Sequence, residues 1–138
     1  MGRDGYPPPS DGAALFAQVS YLLRGDVVLG NLEQALTESG TSKCGKKEKD
    51  CFAFRTPPST ADALGEAGLT VLNVANNHSY DYGQSGLDGT VTALESAGLG
   101  HTGLVDELPR VQKRPVRVIV LGFGFYPTGE SILDIPRA

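Results

Sequence analysis

Apolar residues along this chain keep two different periods, and the changes from one to the other mark its elements. Behind Ser10 or Asp11, the residues Leu15, Val19, Leu22 and Leu23 recur at i, i+4, i+7 and i+8. That spacing predicts a capped helix over 12–24 with the stripe buried. Gly25 ends it, and Val27-Val28-Leu29 opens a short buried strand at 26–30. Phe52-Ala53-Phe54 alternates as a strand does, with both rings on one face. Pro57-Pro58 forbids helix up to Ser59, which with Asp62 makes a capping-box-like start to a helix over 59–67. Its buried face is Ala61, Leu64 and Ala67. A strand over 70–75 leads to a helix over 85–97, opened by Ser85 and Asp88, with Leu87, Val91 and Leu94 on its stripe. Gly68 and Gly98 stop the two helices, so that Ala67-Gly68-Leu69 and Ala97-Gly98-Leu99 punctuate successive units alike.

Strands at 99–102 and 116–122 complete the pattern. In the last, Val116, Val118 and Val120 face one way and Ile119 and Leu121 the other, as in a strand inside a covered parallel sheet. Helices alternating with short apolar strands predict an α/β fold of mostly parallel βαβ units with right-handed crossovers. Two stretches stand outside the pattern. Met1 to Pro9 reads as coil, with Tyr6-Pro7-Pro8-Pro9 favouring polyproline geometry. Residues 37–51 read as a polar loop insertion around a Lys-rich run, solvated at its tip.

Composition narrows the function classes. The 138 residues fit one domain. A net charge of −4 without a long basic face gives no footprint for nucleic acid. No apolar run approaches the ~20 residues of a membrane span, and no positive segment with an apolar core opens the sequence. The two cysteines, Cys44 and Cys51, are too few for a zinc site. They read either as a disulfide closing a polar loop or as two reduced thiols. A disulfide requires Cα atoms about 4.4–6.8 Å apart and places the protein outside the reducing cytosol.

Candidate chemistry gathers where strands give way to loops. Asn76-Asn77-His78-Ser79-Tyr80-Asp81-Tyr82-Gly83 packs an amide pair, an imidazole and a carboxylate between a strand and a helix, where open α/β sheets bind ligands. The bland alternative is an Asn turn with a helix-capping Asp. Gly30-Asn31-Leu32-Glu33 is a second polar strand end, and His101 follows the strand at 99–102 as a pocket-edge or substrate-facing histidine. Gly122-Phe123-Gly124 lacks the third glycine of a dinucleotide fingerprint, and no Ser lies in a Gly-x-Ser-x-Gly elbow. Carboxylate, amide and imidazole donors suit a hard or borderline divalent metal.

The stretches Asp26-Val27-Val28-Leu29-Gly30-Asn31-Leu32-Glu33, Phe52-Ala53-Phe54 with Pro57-Pro58, and Ala75-Asn76-Asn77-His78 with Asp81-Tyr82-Gly83 together resemble the bacterial capsule synthesis protein CapA family. That resemblance implies a partial calcineurin-like metallophosphatase α/β sandwich and a role in poly-γ-glutamate capsule production by metal-dependent hydrolysis or transfer. It implies Glu33 and Asn77 as ligands of a divalent metal (Mn, Zn or Fe), with His78 as the catalytic group and Asp81 orienting it. Asn31, Asn76 and His101 become candidate substrate contacts. An anionic polymer or phosphate-type substrate, membrane-associated capsule machinery and an extracytoplasmic or cell-surface setting follow as expectations. A non-catalytic module that binds cell-envelope polymer or a partner on the same fold is the alternative.

The family's first metal-ligating Asp would fall just before residue 1. Its later imidazole blocks have no counterpart, since the only histidines are His78 and His101. The chain is thus expected to be a single incomplete domain, the N-terminal half, holding about half of a metal site and little activity by itself.

Overall fold

The computed structural model describes residues 12–45, 50–105, 110–113 and 116–124. The coil at Met1–Pro9, the caps at Ser10 and Asp11 and the lysines at 46, 47 and 49 lie outside them. Three parallel strands form the main sheet in the order β1-β4-β5, where β1 is Leu29–Asn31, β4 is Val71–Asn73 and β5 is Gly100–Thr102. Central β4 is apolar on both sides: Val71 is 0% exposed and Leu72 2%. Such burial suits parallel strands, which need cover on both faces.

Helix α2 (Thr60–Glu66) enters β4 and α3 (Gly83–Ser96) enters β5, the βα order that the periods predict. A second parallel pair, β2 (Ala35–Leu36) with β3 (Arg55–Thr56), packs against α3. Leu32, Leu36, Leu64, Leu72, Val74, Leu94 and Leu99 form the core between these layers. Both helices end in the same turn. Leu69 N–H donates to Leu64 O (3.2 Å) and Leu99 N–H to Leu94 O (2.9 Å), with Gly68 and Gly98 at φ of 107° and 71°. These are the long-reach bonds of a glycine C-cap.

Several expectations need correction. The helix over 12–24 is instead a short α1 (Ala13–Phe16) followed by a 3-10 turn at Ser20–Leu22. The bonds Val19 N–H to Phe16 O, Leu22 N–H to Val19 O and Leu23 N–H to Ser20 O all span three residues. At three residues per turn a stripe spaced for 3.6 no longer lies on one face. Leu15, Val19 and Leu22 are accordingly 48%, 43% and 65% exposed, and Phe16 alone of α1 packs toward the core. Leu29, expected in a buried strand, is 53% exposed because β1 is an outer strand of the sheet. Among the described residues no helix is long and apolar enough to cross a membrane.

The strand expected at 116–122 does not join the parallel sheet. Residues Val116–Ile119 form β7, antiparallel to β6 (Arg110–Lys113), with Lys113 opposite Val116. Pairing two strands separated by only two residues closes a small loop, which local chemistry favours over a long crossover. Val116 and Ile119 are exposed. The chain returns beside β5 just after β7, where Thr102 Oγ1 donates to Val120 O (2.8 Å) and accepts from Gly122 N–H (3.0 Å).

Strand β3 begins one residue beyond Phe54, yet the Phe52 and Phe54 rings share a side, 6.4 Å apart and 21° from parallel. Neither Ser59 nor Ser85 caps a helix through its side chain: α2 has Ser59 at its N-cap without such a bond, and α3 starts earlier, after Tyr82. Cys44 and Cys51 form a disulfide with Cα atoms 5.5 Å apart, within the range that the bridge requires.

Candidate functional site

The carboxyl ends of β1 and β4 lie side by side, because Asn31 pairs with Asn73 in the sheet register. Four amide and carboxylate side chains lock them together. Asn31 Oδ1 accepts from Asn73 Nδ2 (3.0 Å) and Asn76 Nδ2 (3.3 Å), while Asn31 Nδ2 donates to Glu33 Oε2 (2.9 Å). Asn76 is the hinge of this arrangement. Its Nδ2 also donates to Leu32 O (3.0 Å), and its Oδ1 accepts from His78 N–H (3.0 Å), with Ser79 Oγ 3.3 Å away. An asparagine amide offers two donors and two acceptor sites, and Asn76 uses both donors and one acceptor site inside the protein. Asn76, a candidate substrate contact, thus braces the turn against the end of β1.

Beyond Asn76 the chain turns tightly through His78–Tyr82 into α3. Ser79 Oγ donates to Val74 O, tying the turn back to the strand. The turn brings His78 Nδ1 to 2.8 Å from Asp81 Oδ2, with Asp81 0% exposed. A buried carboxylate on Nδ1 fixes the ring's tautomer and orientation and leaves Nε2 as its working nitrogen. Among the described residues no hydrogen bond is made by that Nε2. Asn77, next in the chain, is exposed, as is Glu33.

Asp81 has three further partners from a different part of the sequence. Lys43 Nζ lies 2.6 Å from Oδ1, Phe54 N–H donates to Oδ2 at 2.6 Å, and the backbone N–H of Lys43 donates to Asp81 O at 2.7 Å. Lys43 Nζ also donates to Asn77 O (3.2 Å), and the Phe54 ring packs 4.5 Å from that of His78. Sequence reasoning missed Lys43, Phe54 and Asn73. The lysine sits beside a charged run read as solvent-facing, the phenylalanine in an alternation read as strand, and the asparagine inside an apolar run. Only the fold brings them to Asp81 and Asn31.

His101 is not brought to this place. Its Nε2 lies 3.5 Å from Glu95 Oε1 in the last turn of α3. Glu95 is twelve residues along the helix from Gly83, about 18 Å at 1.5 Å per residue. His101, expected at a pocket edge or facing substrate, thus links β5 to the far end of α3.

A divalent metal is only partly provided for. Among the described residues no three His, Cys, Asp or Glu side chains cluster as a metal site would need. Asp81 is committed to His78, Phe54 and Lys43, and Asn31 Oδ1 already accepts two bonds. Glu33, Asn77 and His78 Nε2 remain, with one negative charge between them. That set does not suffice for Mn²⁺ or Zn²⁺. The geometry does suit proton transfer: an oriented imidazole stands on the loop that follows β4, at the carboxyl edge of a parallel sheet.

The profile of the bacterial capsule synthesis protein PGA_cap matches residues 3–130. The capsule biosynthesis protein CapA of Bacillus anthracis is 35% identical over 116 residues, covering 79% of this chain and 28% of that protein. The PGA biosynthesis protein CapA of Bacillus subtilis is 30% identical over 118 residues, 80% of this chain and 30% of its own length. A probable polyglutamine synthesis accessory protein of Mycobacterium tuberculosis is 37% identical over 78 residues, 56% of this chain and 20% of its length. The matches thus span less than a third of these relatives.

Proposed function

The chain belongs to the bacterial capsule synthesis protein PGA_cap family, and we propose that it serves in making a poly-γ-glutamate-type capsule polymer, with His78 transferring a proton during hydrolysis or group transfer. The buried Asp81 held 2.8 Å from His78 Nδ1 carries this reading, because it leaves Nε2 directed for chemistry. Asp81 orients the ring, and exposed Glu33 and Asn77 border the place where a phosphate-type or polymeric anionic substrate would lie. The divalent ion (Mn, Zn or Fe) that the reading assigns to the full-length protein takes Glu33 and Asn77 from this chain and its other ligands from elsewhere. Residues 1–138 alone are not expected to bind it tightly. The Cys44–Cys51 disulfide supports an extracytoplasmic setting, where membrane-associated synthesis machinery would be the partner.

The short donor set favours one rival, a non-catalytic module that binds the anionic polymer. The test uses the full-length protein and its His78→Asn variant, assayed for polymer made by a strain lacking the gene and for cleavage of polymer and phosphate esters. Loss of an acid–base group costs about 10²–10⁴-fold in rate, so the variant should fold, bind polymer and fail in turnover. Wild-type capsule output from the variant at equal abundance would sink the catalytic reading and leave the binding module. Elemental analysis checks the metal: Glu33→Ala with Asn77→Ala should lower the bound Mn, Zn or Fe, and unchanged content would remove both residues from the ligand set.

A further inference from the structure

We propose that Lys43 and Phe54 are positioning residues for His78, acting through Asp81, and that the Cys44–Cys51 disulfide holds both in place. The inference rests on the reading of His78 as the proton-transferring group. Lys43 directly precedes Cys44, and Phe54 is the third residue after Cys51. The bridge therefore joins the two arms that carry every bond to Asp81 given above, apart from that of His78. One arm supplies Lys43 Nζ at 2.6 Å from Oδ1 and Lys43 N–H at 2.7 Å from the Asp81 carbonyl. The other supplies Phe54 N–H at 2.6 Å from Oδ2, and lays the Phe54 ring 4.5 Å from the His78 ring. Oδ2 is thus shared between Phe54 N–H and His78 Nδ1 while Oδ1 faces Lys43, so the position of the carboxylate depends on both arms at once.

Between the cysteines lie Gly45, Lys46, Lys47, Glu48, Lys49 and Asp50, which offer no apolar surface to bury. Without the covalent link, the closure entropy of this loop is opposed by non-covalent contacts of the two arms, among them the polar bonds that orient Asp81. Both cysteines are half-buried, so a small reductant reaches them. An external dithiol supplies two electrons and two protons, breaks the S–S bond to give two thiols, and is itself oxidised to a cyclic disulfide. The expected result is an Asp81 side chain free to leave Nδ1, and an imidazole that samples both tautomers and more than one orientation.

The experiment follows ¹⁵N-labelled histidine by NMR in the full chain. His78 and His101 are its only imidazoles, and His101 lies against Glu95, away from the bridge. Compared are the oxidised protein, the protein treated with dithiothreitol, Cys44→Ser with Cys51→Ser, Lys43→Met and Lys43→Arg. The ring nitrogens of His78 should report one tautomer, protonated on Nδ1, in the oxidised protein. A mixture is expected in the reduced, double-serine and Lys43→Met forms, with Lys43→Arg restoring the single tautomer and the His101 signals constant throughout. In full-length protein the same changes should lower kcat about 10-fold at unchanged KM.

His78 signals that stay fixed in both bridge-free forms would overturn the proposal. So would His78 and His101 signals that change together, since that marks loss of fold and not of positioning. A moved His78 signal alongside activity indifferent to His78→Asn would support the positioning and remove only the catalytic reading on which it was built.

Discussion

Replacing Asp81 with asparagine will lower stability by about 3 kcal/mol and turnover by about 10²-fold or more. Asp81 is 0% exposed and faces only donors: the Lys43 ammonium on Oδ1, and His78 Nδ1 and Phe54 N–H on Oδ2. An amide has one oxygen where the carboxylate has two. Whichever way the new side chain turns, its NH₂ confronts either the ammonium or the imidazole and backbone N–H groups. A buried donor loses its acceptor, and Lys43 loses its counter-charge. Lys43 is partly exposed and can swing to water, so the Coulombic share of the loss is small. The unmet hydrogen bonds at Oδ2 dominate. With roughly 4 °C per kcal/mol for a chain of this size, thermal unfolding should shift down by about 12 °C. A shift below about 3 °C would mean that the carboxylate is not holding these arms together.

Alanine at Gly68 should be among the most damaging conservative changes in the scaffold. Gly68 sits at φ 107°, where a Cβ would stand 2.2 Å from the carbonyl oxygen of Leu23. The left-handed backbone alone costs an L-residue ~1–2 kcal/mol, and relief of the clash means separating the segment before β1 from the turn that feeds β4. We expect a loss of about 3 kcal/mol or more. Gly65, three residues earlier and inside α2, is the built-in control. A Cβ there meets Leu99 Cδ2 at 3.7 Å, an ordinary contact. Gly65→Ala should therefore gain about 0.5 kcal/mol from helix propensity. Chemical denaturation of the two variants decides the matter, and equal losses at both positions would refute the strain argument.

The sequence pattern reveals the parts of the fold that depend on local chemistry. Helices α2 and α3 and strands β4 and β5 fall close to their predicted places, because an apolar stripe, a stop glycine and a buried strand follow one another within a few residues. The helix expected over 12–24 fails because its periodicity is convincing only if something covers Leu15, Val19 and Leu22. Strand β7 misleads for a related reason: alternation that is apolar on both faces fits a central strand and an exposed hairpin equally. At the site, the strand ends and the neighbouring His78 and Asp81 are visible in the sequence. Lys43 and Phe54 are not, since their roles arise from a contact between segments 27 or more positions apart. Asn76 shows the opposite limit. Its residue type announces hydrogen bonding, but only the geometry shows that both its donors are directed inward.

The matching turns at Ala67-Gly68-Leu69 and Ala97-Gly98-Leu99 act at a distance, as a levelling device. Each fixes where a helix stops, and so the height at which the next strand begins. From Gly68 to Val71 is three residues and from Gly98 to Gly100 two, and Val71 and Gly100 stand opposite each other in the sheet. Asn73 and Thr102 consequently leave it at one level, with Asn31 alongside. Moving either stop by a single residue would raise or lower one exit by about 3.3 Å, more than the 3.0 Å bond joining Asn31 Oδ1 to Asn73 Nδ2. The tolerance of the polar edge is thus set on the far side of the sheet, by two glycines that touch none of its groups.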